Sequence, residues 1–209
     1  MCFSAPASFI AGTALSAVGV ATLTRVKKRK EIPLALIPLL FGLQQLTEGL
    51  VWVSLKYGMT TLNTISSYSF VLFAHVLWPI YVPIAVLLIE TVKWRKRIMI
   101  VCVGLGAAAS IYLLYQLIAF PLHSQIVFKS IQYVCDASWR VPFSLHAVFY
   151  IIATCVSTLL SSHKMVRWLG ITTTVFLGVA YYFYSVTFAS VWCFFAALLS
   201  VIIFFHFKK

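Results

Sequence analysis

One acidic residue of this sequence lies inside an apolar run, and its position makes it the first candidate for chemistry. Glu48 stands within a hydrophobic segment, preceded by Gln44 and Thr47 at helical spacing. The chain's other acids lie in or beside the connections between apolar segments. Taking a carboxylate out of water into hydrocarbon is costly unless it is protonated, paired or bound to a cation. We therefore expect Glu48 to have a partner and to mark the functional centre.

Two histidines in other apolar segments can act together with Glu48. His75 lies near the middle of its segment, and His146 lies about one turn into a later one. Carboxylate and imidazole groups together suit zinc or another divalent metal. The alternatives are a hydrogen-bonded polar network without metal, or isolated residues that face water or backbone. The predicted ligand-binding set is Gln44, Glu48, His75, Trp78 and His146, and the predicted catalytic pair is Glu48 and His75.

The second residue of the chain is a further candidate ligand. Removal of Met1 would leave the amine of Cys2 beside its thiol, a pair that can chelate a metal or act as a nucleophile with its own base. A retained methionine and an inert thiol are the alternative. The predicted metal ligands are therefore Glu48, His75, His146 and Cys2. A disulfide among Cys2, Cys135 and Cys193 is permitted on the outer side, and buried thiols are the other possibility.

These residues must be positioned by membrane-spanning helices. The chain has 209 residues, of which 62% are hydrophobic and only 10% are charged. A soluble protein of this size could not cover so much apolar surface, and several runs reach the length that a bilayer requires. The composition predicts an all-α integral membrane protein that forms a single domain of seven transmembrane helices. The predicted spans are residues 6–24, 33–54, 64–89, 98–120, 141–160, 168–184 and 186–206.

The distribution of basic residues predicts the orientation of these spans. The net charge is +12, and 13 of the 16 basic residues fall in alternate gaps between apolar runs or at the C-terminus. This asymmetry is the positive-inside pattern, so we expect the N-terminus outside and the C-terminus in the cytoplasm of a plasma (inner) membrane. A nucleic-acid surface would gather its charges on one exposed face. Nucleic acid is therefore excluded as a partner, and the lipid bilayer is the expected one.

Two local patterns predict how the helices pack. Ser8, Gly12 and Ser16 form a small-residue stripe at spacing four, which favours close helix contact in lipid. Pro79 has no backbone N–H, so we expect the carbonyl of His75 to lack its helical partner and the helix to kink there. The long connection after residue 120 is expected to place its apolar stretch, residues 126–134, at the membrane interface.

Depth estimates place the predicted site in the outer half of the bundle. At 1.5 Å per residue, Glu48 lies roughly 9 Å below the outer boundary and His75 roughly 16 Å below it. The difference of roughly 7 Å is large for two ligands of one ion. Only a kinked helix or a shifted boundary would bring them together.

The opening residues, Met-Cys-Phe-Ser-Ala-Pro-Ala-Ser-Phe, and the later Gln-Gln-Leu-Thr-Glu-Gly stretch are not generic. With the basic segment between them, they resemble an uncharacterised family of short, mainly bacterial seven-span membrane proteins that begin Met-Cys-Phe-Ser-Ala. The likeness covers roughly the whole chain and is strongest in its first third. The resemblance implies seven spans and no particular activity.

The function predicted from these residues is binding of a small molecule or metal ion in a polar pocket centred on Glu48 and His75. One alternative is a metal-dependent membrane hydrolase that acts on a lipid or amphiphile, with Glu48 as the general base. Another is a proton-coupled transporter of small molecules, with Glu48 carrying the proton. A retinal protein is excluded because the last span contains no lysine before Lys208.

Overall fold

The structure is a computed structural model that describes residues 4–135 and 145–208. Most of these residues are helical, and a β-hairpin follows the fourth helix. The elements are α1 (Ala5–Leu23), α2 (Ile32–Tyr57), α3 (Thr60–Ile89), α4 (Lys93–Ala119), β1 (Leu122–Val127), β2 (Ser130–Cys135), α5 (Leu145–Leu159), α6 (Lys164–Phe183) and α7 (Ser185–His206).

Within the described ranges, five helices are long and apolar enough to cross a membrane: α1, α2 with the short turn before it, α3, α4 and α7. The α5 helix is apolar but shorter. The predicted helical fold class is confirmed, and these lengths fit a membrane protein.

Local sequence explains where the first two helices begin and end. The hydroxyl of Ser4 accepts a hydrogen bond from the N–H of Ala7, and Pro6 occupies the first turn of α1, where no donor is needed. The α2 helix ends at Gly58, whose φ of 65° is left-handed. Glycine adopts this conformation without the steric cost that a side chain brings.

Small residues bring α1 and α2 into close contact. A Cβ atom added to Gly12 would lie 2.8 Å from the side chain of Leu46, and one added to Gly19 would lie 2.5 Å from Leu39. A Cβ atom on Gly42 would lie 2.5 Å from the hydroxyl of Ser16. The close packing predicted for the small-residue stripe is confirmed, and it holds the helix that carries Glu48 against α1.

Contacts between helix ends gather the basic segments at one end of the bundle. The guanidinium of Arg25, just after α1, lies 4.2 Å from the ring centre of Phe204, near the end of α7. The carboxylate of Glu90, just after α3, accepts a hydrogen bond of 2.7 Å from the N–H of Ser162, just after α5. We call this the basic end.

The hairpin lies at the opposite end, which we call the hairpin end. The hydroxyl of Ser124 in β1 accepts hydrogen bonds from the Asn63 amide at 2.8 Å and the Ser67 hydroxyl at 3.0 Å. Asn63 also donates to the hydroxyl of Ser54, near the end of α2. These polar groups fix the hairpin to the first turns of α3.

The stretch predicted to lie at the membrane interface, residues 126–134, forms part of this hairpin. Its two strands pair from Leu122 with Cys135 to Val127 with Ser130, which leaves a two-residue turn. Both turn residues, Phe128 and Lys129, have positive φ (47° and 60°). Such turns favour Asn-Gly, so the turn chemistry here gives no hairpin signal.

Candidate functional site

A cavity of about 470 Å³ lies at the hairpin end, between the hairpin and helices α3 to α7. His75 from α3 and His146 from α5 both line it, close enough for their imidazoles to interact electrostatically. Gln116, Tyr150 and Trp192 contribute further walls. The structure therefore brings two of the predicted ligands, from separate helices, to one space.

The backbone of α3 changes register beside this cavity. Residues Leu72–Leu77 form a π-helical segment, in which the N–H of Trp78 bonds to the carbonyl of Phe73, five residues earlier. In this register the partner of the Ala74 carbonyl would be Pro79, which has no backbone N–H to donate. The hydroxyl of Tyr150 donates to this carbonyl instead, at 2.6 Å. In the π-helical register the carbonyl that faces Pro79 is that of Ala74, one residue before the His75 carbonyl that regular α-helical spacing predicts.

A second helix completes the support of this segment. The hydroxyl of Ser110, in α4, donates a hydrogen bond of 2.8 Å to the carbonyl of Val76. One turn earlier on α4, a Cβ atom at Gly106 would overlap the carbonyl oxygen of Pro79. Only glycine lets α4 approach α3 this closely. The helix that carries His75 is thus held in its irregular form from two sides.

Glu48 lies in a separate polar cluster between α2, α3 and α7. Its carboxylate accepts a hydrogen bond of 2.5 Å from the hydroxyl of Ser190. The amide oxygen of Gln44 accepts a hydrogen bond of 2.7 Å from the indole N–H of Trp78. Gln44, Gln45 and Glu48 all have an exposed fraction of 0%. The cluster is therefore sealed within the protein, on the face of α2 that Gln44 and Glu48 share.

Cys193 lies between this cluster and the cavity. Its side chain lines the cavity, and it lies beside the Gln44 amide and within electrostatic range of Glu48. Glu48 itself does not line that cavity, nor a smaller one of about 60 Å³ walled by Phe41, Trp78 and other apolar residues. The structure therefore places Glu48 with Gln44 and Trp78, and His75 with His146, in two adjoining groups.

The two described ranges contain no cluster of side chains suited to a metal ion. No group of three or more His, Cys, Asp or Glu side chains there is arranged around one point. Cys2, predicted as a ligand, and Asp136 lie outside the described residues. Four cysteines inside them, Cys102, Cys135, Cys155 and Cys193, are buried thiols.

Buried polar atoms around Glu48 lack hydrogen-bond partners among the described residues. They are the second carboxylate oxygen of Glu48, both amide atoms of Gln45, the amide nitrogen of Gln44 and, one turn further along α2, the indole nitrogen of Trp52. Most buried polar atoms in proteins are paired, so such a group points to a bound water, ion or ligand. Sequence reasoning missed Gln45, Ser190 and Tyr150, and it considered Cys193 only as a thiol or a disulfide partner. The Gln-Gln pair in an apolar run was the one signal for Gln45.

Glu90 shows how the same chain stabilises a carboxylate outside the helices. Burial by itself raises the pKa of Glu90, but hydrogen bonds from the N–H groups of Val92, Ser162 and Thr91 outweigh it and lower the pKa to about 2. Glu90 is therefore an anion that fastens the α3–α4 connection to the α5–α6 connection at the basic end.

The whole sequence, residues 1–209, matches the model of one protein family, described as a family of unknown function (DUF6629). The chain belongs to this family. The resemblance predicted from the opening residues and the Gln-Gln-Leu-Thr-Glu-Gly stretch, to an uncharacterised family, is confirmed. No curated protein and no solved structure matches the sequence.

Membership of the DUF6629 family carries no activity with it. The features of the molecule that point to a function are the two groups of residues described above, the histidine-lined cavity and the Glu48 cluster.

Proposed function

We propose that this protein crosses the plasma (inner) membrane seven times and binds a small molecule in the cavity at its hairpin end. The observation that carries this proposal is the cavity itself, about 470 Å³ with two histidines and a glutamine among mainly apolar walls. Ligand sites of this size, largely apolar with a few polar groups, bind drug-sized molecules. His75 and His146 would contact the polar part of the ligand.

The proposed orientation places this cavity on the outer side. The basic segments meet at the other end of the bundle, and basic segments remain in the cytoplasm. The N-terminus is then outside and the C-terminus inside. A membrane-impermeant maleimide should label Lys129→Cys, in the hairpin turn, in intact cells, and should leave Lys28→Cys unlabelled until the cells are opened. Labelling of Lys28→Cys in intact cells would overturn the orientation.

Two glycines provide a matched test of ligand binding. Gly178 lines the cavity, and a Cβ atom there would meet no atom within 4 Å; the same is true of Gly104, which does not line it. Gly178→Leu should fill part of the cavity, whereas Gly104→Leu should leave it unchanged. Each protein would be extracted from the membrane together with its native lipid, and the small molecules that remain bound to it would be identified by mass spectrometry.

The expected result is a compound that accompanies the wild type and Gly104→Leu but is lost from Gly178→Leu. Replacing both histidines with glutamine should reduce the amount of that compound, because the polar contacts are removed while the apolar walls remain. The same compounds in equal amounts with the wild type, Gly178→Leu and Gly104→Leu would contradict a ligand in this cavity.

A further inference from the structure

We propose that Glu48 and Gln45 form a binding site for a monovalent cation, either a proton or a sodium ion, separate from the ligand cavity. The site lies on α2, sealed against α7, where both side chains have an exposed fraction of 0%. This inference goes beyond the proposed small-molecule site and does not depend on it.

The two carboxylate oxygens of Glu48 have different surroundings. One accepts the 2.5 Å hydrogen bond from Ser190. The other is buried and has no hydrogen-bond partner in the part of the chain that the structure describes. A buried carboxylate oxygen without a donor is costly, and a bound cation is the group that relieves that cost most directly. The second oxygen is therefore the first ligand of the proposed site.

Gln45 supplies the second ligand. It precedes Glu48 by three residues, so the two side chains emerge on neighbouring parts of one helix face. Its amide is near the Glu48 carboxylate but forms no hydrogen bond of acceptable geometry, and both of its polar atoms are buried. An amide oxygen beside a carboxylate oxygen offers two hard oxygen ligands to a sodium ion, or an acceptor for the proton of a carboxylic acid.

Among the described residues, no lysine, arginine or histidine side chain neutralises the carboxylate of Glu48. The titratable neighbour across the helix interface is Cys193, on the same face of α7 as Ser190. A thiol does not neutralise a carboxylate. Cys193 also lines the ligand cavity, so the proposed cation site adjoins that cavity without being part of it.

Thermal unfolding of the full chain in lipid nanodiscs tests this proposal. Any ligand that binds the folded state stabilises it, so sodium titration should raise the Tm of the wild type by on the order of 5 to 10 °C at a hundred times Kd. Glu48→Gln, which keeps the side-chain shape, should lose this response. Glu90→Gln, a change at a buried acid outside the helices, should keep it.

The remaining outcomes identify the cation or overturn the proposal. The cation would be a proton if sodium left the Tm of the wild type unchanged and acidification raised that Tm relative to the Tm of Glu48→Gln. Gln45→Leu should reduce the sodium response, because an oxygen ligand is removed at similar volume; an unchanged response would remove Gln45 from the site. The same response of the wild type and Glu48→Gln to both sodium and pH would overturn the cation site. Ligand loss from Gly178→Leu would still support the cavity in that case.

Discussion

The hydroxyl of Tyr150 donates a hydrogen bond of 2.6 Å to the backbone carbonyl of Ala74, and the bond is buried. It joins α5 to the π-helical segment of α3 at the carbonyl of Ala74, whose partner in this register would be Pro79, which has no N–H to donate. Irregular backbone at membrane depth persists only where protein groups or a wet cavity satisfy it. The contact therefore supports both the shape of α3 and the position of His75 on the cavity wall.

Replacing Tyr150 with phenylalanine should destabilise the protein by roughly 1 to 3 kcal/mol, because the carbonyl of Ala74 would be left buried and unpaired. Unfolding in mixed detergent micelles with increasing dodecyl sulfate would measure the change in free energy. Tyr115, with an exposed fraction of 62%, provides the matched control, and Tyr115→Phe should have little effect. Equal effects of the two substitutions would show that the hydrogen bond contributes nothing to stability.

A methyl group at Gly19 should separate α1 from α2. The Cβ atom of Gly19→Ala would lie 2.5 Å from the backbone nitrogen of Leu39, and backbone cannot move aside cheaply. The expected loss is on the order of 1 to 3 kcal/mol, measured by the same unfolding experiment. Gly104→Ala, where a Cβ atom meets no atom within 4 Å, should be neutral or slightly stabilising. If Gly19→Ala had the same free energy of unfolding as the wild type, α2 would be able to move away from α1 at little cost.

Neutralising Glu90 should weaken the basic end of the bundle. Its carboxylate accepts three backbone hydrogen bonds, and bonds to a charged acceptor are the stronger kind. Glu90→Gln should therefore cost roughly 1 to 3 kcal/mol near neutral pH. Glu31→Gln is the control, because its carboxylate also accepts two backbone N–H groups but is more exposed.

The pH dependence of that difference follows from the pKa of Glu90. The folded protein holds this pKa at about 2, below the ordinary value of 4.5, so the unfolded chain binds the proton more tightly. The contribution of Glu90 to stability is complete above the ordinary value and is lost as the pH falls from 4.5 through about 2. Unfolding free energies of the wild type and Glu90→Gln should converge over that range. A constant difference would show that the charge of Glu90 is unimportant.

Two substitutions in the hairpin turn should increase the stability of the hairpin. Phe128 and Lys129 both hold positive φ, a conformation that costs most residues energy. The pair of substitutions Phe128→Asn and Lys129→Gly should stabilise the hairpin by about 1 kcal/mol, because asparagine and glycine favour such turns. Slower hydrogen exchange of the amides in β1 and β2 would report the gain. Faster exchange would imply that the exposed Phe128 side chain contributes contacts of its own.

The helices were predictable because lipid leaves few choices for an apolar chain. A bilayer requires runs of a fixed length, Pro6 suits a first turn, and Gly58 follows the last residue of α2. Membership of an uncharacterised family was also predictable, from the opening residues. Each of these features depends on residues that are close together in the sequence, so it can be predicted without knowing how the helices pack.

The arrangement of the site was harder to predict because it depends on helix rotation. The spacing of residues predicts depths for Glu48 and His75 that differ by roughly 7 Å, but it does not predict the direction in which each side chain faces. The structure turns His75 toward His146 and Glu48 toward Ser190. Ser190 is an ordinary serine in an apolar helix, and no sequence pattern distinguishes it as the donor to a carboxylate.

The π-helical segment gives α3 one residue more than a regular α-helix would need between its two ends. Loss of a single codon within residues 72–77 would therefore restore the regular pitch and leave both ends of α3 facing the same way. Loss of a codon between Ser67 and this segment, where α3 has no surplus residue, would instead rotate the first turns of the helix by about 100° relative to Trp78. Asn63 and Ser67 would then turn away from the hairpin while Trp78 stayed on Gln44, although every side chain of these contacts was retained. The π-helical segment thus tolerates a change in length that the regular turns beside it would not.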